Sequence, residues 1–253
     1  MISCLTITRP QRADLLRLAI GDFAAQVHAE RELLVVHDAD PAFERALEAM
    51  VRAHPQAAIR TLAVAPGRPL GELRNLALDH ARGDFVCQWD DDDRCHPLRL
   101  QLQWEALVRE DAACCFLVDQ LHWFPARGEL WWDDWDAEPY PMNLVQGTLL
   151  GRRQDLPRYP ALPRGEDTPF TLDILRAGHR VARLAGCGWA YVYVYHGRNA
   201  WDEAHQVAIS RLKHLSPARL AARETLLRAR LAEYAPPLPP ARMPCGSAAL
   251  ALG

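Results

Sequence analysis

Four consecutive aspartates, Asp90-Asp91-Asp92-Asp93, follow directly on the apolar run at residues 85–89. Adjacent carboxylates repel, and each raises its neighbours' pKa unless a cation or hydrogen-bond donors compensate. Hard oxygen ligands at the end of a strand suit Mg²⁺ or Mn²⁺. Such a cation can bridge a diphosphate and offset the charge that develops on a leaving phosphate. The plainer alternative is a solvated acidic loop ahead of the helix that begins near Pro97, with Asp93 close to its N-terminus. His196 follows a second strand-like run, Tyr191-Val192-Tyr193-Val194-Tyr195, and precedes Gly197. An imidazole at a strand end could join the aspartates around a metal, or it could be structural.

The flanking sequence says what must hold these groups. Residues 2–7 form a short apolar run that Arg9-Pro10 breaks. Leu16, Ile20, Phe23 and Val27 then recur at helical spacing. Residues 33–36 make a second strand, ending in His37-Asp38. A helix over 43–51, a strand over 59–64 and a helix marked by Leu70, Leu73, Leu76, Ala77 and Ala81 follow, with Gly83 as its C-cap. Residues 85–89 supply the fourth strand, and Pro97 opens a helix to about Arg109. Alternating helices with continuous apolar strands predict a parallel sheet covered on both faces. Ligands bind such sheets outside the carboxyl ends of the strands, where both His37-Asp38 and the four aspartates fall.

The second half reads as a strand over 113–118, then a hairpin of residues 121–124 and 129–132 around Pro125-Ala126-Arg127-Gly128. A strand over 144–150, a helix over 168–177 ending at Gly178, and the 191–195 strand come next. Two helices, 202–214 and 217–234, precede a segment rich in Pro, Ala and Gly, which predicts a disordered tail over 235–253.

Composition narrows the class of function. The 253 residues suit one sizeable core, and a formal net charge of −3 leaves no electrostatic footprint for nucleic acid. Lys213 is the sole lysine. Seven cysteines without a CxxC pair argue against a disulfide framework or a zinc knuckle. Their apolar neighbours fit a reducing compartment. With no basic leader pattern and no apolar run near the ~20 residues that span a bilayer, the expectation is a cytoplasmic protein without a transmembrane segment, peripheral membrane contact aside.

The segment Trp89-Asp90-Asp91-Asp92-Asp93-Arg94-Cys95-His96-Pro97 resembles the hydrophobic-D-x-D-D-x-x-x-P stretch of family-2 glycosyltransferases. Three further segments resemble that family in order and spacing: Ser3-Cys4-Leu5-Thr6-Ile7-Thr8-Arg9 its first strand and nucleotide loop, Leu34-Val35-Val36-His37-Asp38 its second strand, and Arg74-Asn75 with Ala81-Arg82-Gly83-Asp84-Phe85-Val86 its lead-in. The resemblance implies the GT-A fold, a Rossmann-like α/β arrangement with a mostly parallel sheet sandwiched by helices. It also implies inverting transfer from a nucleotide-diphosphate sugar.

Its nucleotide and metal half would span 1–110, its acceptor half 111–201, and the helices of 202–234 would extend it. Asp38 would contact the nucleotide, with Thr8, Arg9, Arg74 and Asn75 framing it. Asp90 and Asp92 would form the Asp-x-Asp, with Asp92 on the metal and Asp93 in support. His37 departs from the usual acid at its position. Arg164-Gly165-Glu166-Asp167-Thr168 resembles the family's E-D segment, which makes Asp167 the general base that takes the acceptor's proton, with Glu166 beside it. An acidic pair favoured by the macrodipole at a helix N-terminus is the alternative.

His196-Gly197-Arg198-Asn199-Ala200-Trp201 looks like a late metal-binding segment, with Arg198 reaching the diphosphate. Gln146 and the aromatics Trp131, Trp132 and Trp135 would face the acceptor, or the tryptophans would be core. The implied partners are Mn²⁺ or Mg²⁺, a sugar nucleotide (a UDP-sugar first) and a glycan, lipid-linked or other hydroxyl acceptor. A metal-dependent nucleotidyltransferase is a second reading, against which Thr6-Ile7-Thr8-Arg9-Pro10 lacks a glycine-rich phosphate loop. An inactive sugar-nucleotide-binding scaffold is the third.

Overall fold

Apolar runs too short for helices and flanked by turn residues become the strands, and residues of 3.6 periodicity become the layers that cover them. The computed structural model describes residues 1–139, 143–245 and 248–252. Strand β1 (Ile2–Thr8) leads through a single 3-10 turn, Pro10–Arg12, into α1 (Ala13–Ala24). Strand β2 (Arg31–Asp38) is followed by α2 (Pro41–Arg52), which starts where Asp40 accepts the amides of Ala42 and Phe43 and Pro41 presets the first turn. Then come β3 (Ile59–Val64), α3 (Leu70–His80) and β4 (Phe85–Gln88).

Helix α3 does not end on Gly83: Ala81 is already extended, at ψ 134°. Gly83 is required for a different reason. A Cβ there would lie 2.6–2.8 Å from Met1 O, Phe85 O and Ser3 N, so the chain crosses the start of the sheet with no room for a side chain.

Strand β5 (Arg94–Cys95), α4 (Arg99–Arg109), β6 (Cys114–Leu117), β7 (Asp119–Phe124) and β8 (Glu129–Asp134) follow. The hairpin of β7 and β8 is antiparallel, as expected from its turn. The apolar segment expected as a strand over 144–150 is mostly a turn, with only β9 (Leu150–Arg152) pairing. Its Leu144, Val145 and Leu149 are buried from a loop. The chain continues through α5 (Asp167–Arg176), β10 (Val181–Leu184), β11 (Tyr191–Val194), α6 (Glu203–Lys213), α7 (Pro217–Ala221), α8 (Glu224–Leu231), β12 (Ala241–Cys245) and β13 (Ala248–Leu252).

The main sheet has the order β10-β6-β9-β4-β1-β2-β3. Only β9 runs against its neighbours β4 and β6, so the sheet is mostly parallel. A second sheet, β13-β12-β8-β7-β11-β5, stands beside it. One cluster of buried side chains runs from Ile2 through Trp89 and Trp132 to Leu215, Leu227 and Met243. The C-terminal helices therefore pack into the same core as the first strand. The helix expected over 217–234 is interrupted at Ala222 and Arg223.

The segment from 235, expected to be a disordered tail, is instead held in place over its described part. Pro236 O accepts from Arg94 at 2.9 Å, and β12 inserts Met243, 1% exposed, into the core. Apolar Ala241 and Met243 alternate with Arg242, which is strand patterning hidden inside a Pro- and Ala-rich composition. Residues 246, 247 and 253 of that tail lie outside the described residues. Cys4, Cys87, Cys95, Cys114 and Cys115 are buried free thiols. No described helix is long and apolar enough to cross a membrane.

Candidate active site

Strand β4 ends at Gln88, and the chain turns sharply enough that the next four carboxylates point in different directions. Asp90 accepts from Arg74 Nη2 at 3.1 Å and from Gln88 Nε2 at 2.9 Å. Asp91 accepts from Thr8 Oγ1 and from Arg12 Nη1, both at 2.6 Å. Burial, and then the charge of Asp92, push its pKa up to about 7. Asp92 meets His196 Nε2 at 3.0 Å and Arg12 Nη2 at 3.1 Å. Burial would raise its pKa, but the His196 contact and the Arg12 charge hold it below the usual range.

Asp93 turns inward, accepting from the Tyr191 hydroxyl and from Val194 N at 3.0 Å. Burial and the charges of Asp92 and Asp90 push its pKa well up. It is a structural clamp between the acidic loop and β11, not a member of a metal set. Beneath the loop lies Arg99, fully buried, its guanidinium between Trp89 and Tyr191 and bonded to Gln88 O at 3.0 Å. The repulsion that the sequence implies is thus relieved by cations and donors on several sides.

Helix α3 and the start of α5 build the other wall. Arg74 donates to Glu166 Oε1 at 2.6 Å as well as to Asp90, tying the two acidic segments together. Glu166 is consumed by that pair and buried. Asp167 opens α5, half-buried, with Oδ1 accepting the Thr168 amide at 2.9 Å. Burial, then the charge of Glu166, raises its pKa. Gln146 accepts from the Thr168 hydroxyl at 2.8 Å and so fixes the same helix end.

These walls enclose a cleft of about 450 Å³ whose lining includes Arg12, Arg74, Asp90, Asp92, Asp167 and Trp135. Its size fits a small-molecule site. A second cleft, about 480 Å³, lies among Asp79, Arg152, Arg153 and Arg158. There Arg158 is engaged bidentately by Asp79 and Arg153 by Gly83 O, and no aspartate of the acidic run reaches it.

Several expected site residues stand elsewhere. Asn75 spends its amide on both backbone groups of Tyr159, at 2.8 Å each, so it positions a loop. Thr8 is buried and serves Asp91. Asp38 ends β2 at the same edge of the sheet, in register with Val64, but outside the cleft lining. Arg9 is exposed, also outside it. Arg198 binds Gln11 O at 2.8 Å and Asp14 at 3.1 Å, closing the His196 loop onto the turn that carries Arg12.

Of the tryptophans, Trp132 is buried at 1% exposure with Nε1 bonded to Asp119, and Trp131 packs with Phe124 and Val207. Both are core, and of the three tryptophans of this stretch only Trp135 faces the cleft. The sequence reading misses Arg12 and Gln88, and it makes Trp201 part of a metal-binding segment rather than cleft wall. Trp201 is 47% exposed on the cleft wall with Arg164 over its ring at 5.0 Å. An arginine four residues past Thr8 carries no motif, whereas an unburied tryptophan beside His196 was a signal available to be read.

A mostly parallel sheet with acidic groups at the carboxyl end of β4 and a second carboxylate on the facing helix places the cleft where α/β sheets of this kind bind their ligands. The Glycosyl transferase family 2 profile matches residues 6–135, half of the chain, and the chain belongs to that family. No curated protein sequence matches it.

Among solved structures it is similar to S. aureus TarS 1-349 in complex with UDP-GlcNAc, at 16% identity and a TM-score of 0.61 over 92% of this chain and 67% of that one. It spans 42% of the longer TarS structure. It is also similar to the mannosyltransferase PcManGT from Pyrobaculum calidifontis in complex with GDP-Man and Mn²⁺, at 17% identity and a TM-score of 0.62 over 90% of this chain and 68% of that one. The shared fold is GT-A.

Proposed function

We propose that the chain is an inverting glycosyltransferase that moves a sugar from a nucleotide-diphosphate sugar to an acceptor hydroxyl. The observation that carries this reading is the convergence in one cleft of Asp90, Asp92 and Arg12 with Asp167, a carboxylate of raised pKa. Among the described residues no three His, Cys, Asp or Glu side chains form a ready-made metal cage. Asp92 Oδ2 and His196 Nε2, 3.0 Å apart, still offer an oxygen and a nitrogen donor at one point. Mg²⁺-type sites commonly use one or two protein ligands plus substrate phosphates, so this pair fits Mn²⁺ or Mg²⁺ as the partial site that a diphosphate completes. Once bound, the ion would supply charge stabilisation for the departing diphosphate.

The chain's own residues supply the rest. Inversion takes one in-line displacement at the anomeric carbon, in which the acceptor oxygen bonds to carbon as the diphosphate leaves. Asp167 takes the acceptor's proton, and its raised pKa brings it nearer to the value a base needs. Arg74 fixes Glu166, and through it the start of α5, relative to Asp90. Trp135 and Trp201 offer aromatic faces on which an acceptor sugar would stack. The bound ligands of TarS and the mannosyltransferase support a sugar-nucleotide donor, a UDP-sugar first and a GDP-sugar second.

Calorimetric titration with UDP-, GDP-, CMP- and dTDP-sugars, with and without Mn²⁺, tests the reading. Metal-dependent binding of one donor is expected. Folded protein that binds none of them would point instead to a scaffold with an inactive site.

A further inference from the structure

We infer that Arg12 is a built-in counter-cation of the aspartate cluster, which releases Asp92 to a divalent metal only when a diphosphate arrives to take up its guanidinium. The inference rests on the metal-assisted reading above and adds an order to it. Arg12 ends the turn Pro10–Arg12, and its fork splits between two acids: Nη1 reaches Asp91 Oδ1 at 2.6 Å and Nη2 reaches Asp92 Oδ2 at 3.1 Å. That same Asp92 Oδ2 meets His196 Nε2 at 3.0 Å. The one oxygen that stands beside a second metal donor is therefore already shared with a fixed positive charge.

A divalent ion at that oxygen and the guanidinium would repel across a few ångströms, in a partly buried site where such repulsion is costly. Arg12 divides its charge between Asp91 and Asp92, while Arg74 is shared by Asp90 and Glu166, so Arg12 is the cation that weakens the field at Asp92 that would draw a metal in. The two contacts of Arg12 differ in how firmly they are held. Asp91 is buried and also clamped by the Thr8 hydroxyl at 2.6 Å, so the Nη1 contact is anchored. Asp92 is 14% exposed and Arg12 28% exposed, both on the cleft.

A planar guanidinium matches phosphate oxygens as well as it matches carboxylate. A diphosphate entering the cleft offers Nη2 a new anion and the metal new oxygen ligands at once. Metal and nucleotide binding are then reciprocally coupled, each raising the other's affinity by the same factor.

The test is Mn²⁺ binding to the 253-residue chain without donor substrate, read from the loss of the free-ion EPR signal, with and without UDP or GDP. The wild type is expected to bind Mn²⁺ weakly alone and much more tightly with the nucleotide. Arg12→Gln should bind Mn²⁺ alone on the order of tenfold more tightly, since removing one unit charge at this range exceeds 1.4 kcal/mol, and should show a smaller nucleotide effect. Arg12→Lys, which keeps the charge, should stay close to wild type. Asp92→Asn should abolish metal binding in either background.

If Arg12→Gln binds like wild type while Asp92→Asn abolishes binding, the counter-cation role is wrong and the metal site stands. If Asp92→Asn binds like wild type, the metal reading itself fails. Should Arg12→Gln not fold, the wild type decides: equal Mn²⁺ affinity with and without nucleotide overturns the inference.

Discussion

At the scale of single residues, the four adjacent aspartates do not share one task, and the contrast between Asp92 and Asp93 is testable. Asp93 accepts from the Tyr191 hydroxyl and the Val194 amide in the interior, whereas Asp92 faces the cleft. Asp93→Ala would leave two buried donors unpaired and should cost about 2–4 kcal/mol. Asp92→Ala should leave the melting temperature nearly unchanged but remove the stabilisation that Mn²⁺ and nucleotide give together. Thermal melts of both variants, with and without ligands, distinguish these roles; equal metal-induced shifts in wild type and Asp92→Ala would sink the ligand assignment.

For the base, Asp167→Asn should lower turnover by about 10²–10⁴-fold with donor affinity within about twofold of wild type. Retained turnover would mean a different base. The residues that touch the cleft were readable where a motif marked them, as with Asp90, Asp92 and Asp167. The hidden ones are those whose role is set by folding distant segments together. Arg12 lies 79 positions from its partner Asp91, and nothing in its neighbourhood announces the pairing.

At the scale of elements, α3 is the lever that sets the distance between the two acidic segments. Its Arg74 spans Asp90 and Glu166, and its Asn75 grips Tyr159, whose ring stacks on Phe170 of α5 at 3.7 Å. Its N-terminal turn touches the loop that leads to Asp167: the Gly71 amide donates to Leu162 O at 3.0 Å, and a Cβ at Gly71 would sit 1.8 Å from Pro160 O. Gly71→Ala must therefore push that loop away. It should cost about 2–3 kcal/mol and also lower turnover at temperatures where the variant is still folded. A variant with wild-type melting and turnover would show that the close approach is not needed.

The strands of the first half were readable because parallel strands buried on both faces are continuous apolar runs. The 144–150 segment misled because its apolar residues are buried by packing from a loop rather than by pairing. For the tryptophan hairpin the sequence left both a core and an acceptor-facing reading open. Both of its faces are covered, by Val207 of α6 over Trp131 and by the main core over Trp132, a circumstance that alternation along one strand does not disclose.

At the scale of the whole molecule, the C-terminal segment is the least readable part, because generic Ala/Leu/Arg helices do not name the surface they cover. The structure gives them one. Behind the acidic loop, His96 is fully buried, with Nδ1 accepting the Leu98 amide at 3.1 Å and its ring edge-on to Trp189 at 4.7 Å and Tyr234 at 5.4 Å. Its Nε2 lies 3.2 Å from Glu233 Oε2, misaligned for a hydrogen bond. Burial, only partly opposed by Glu233, pushes its pKa down to about 4, against 6.5 in the unfolded chain.

Between those values the unfolded chain binds the extra proton, so the contribution of His96 is complete above pH 6.5 and is lost as pH falls toward 4. Buried acids act in the reverse direction; burial pushes Asp119, for one, up to about 6. The total pH profile therefore does not isolate the histidine, but comparison with His96→Phe does, because the phenyl ring keeps the aromatic contacts and cannot titrate. Whatever the difference in unfolding free energy at pH 7, it should shift by about 3 kcal/mol in favour of the variant by pH 4, as measured by urea unfolding at each pH. A difference that stays constant would mean that the imidazole takes up its proton freely in the folded protein. The packing of Trp189 and Tyr234 around it would then not be the dry joint that ties the C-terminal segment to the back of the aspartate loop.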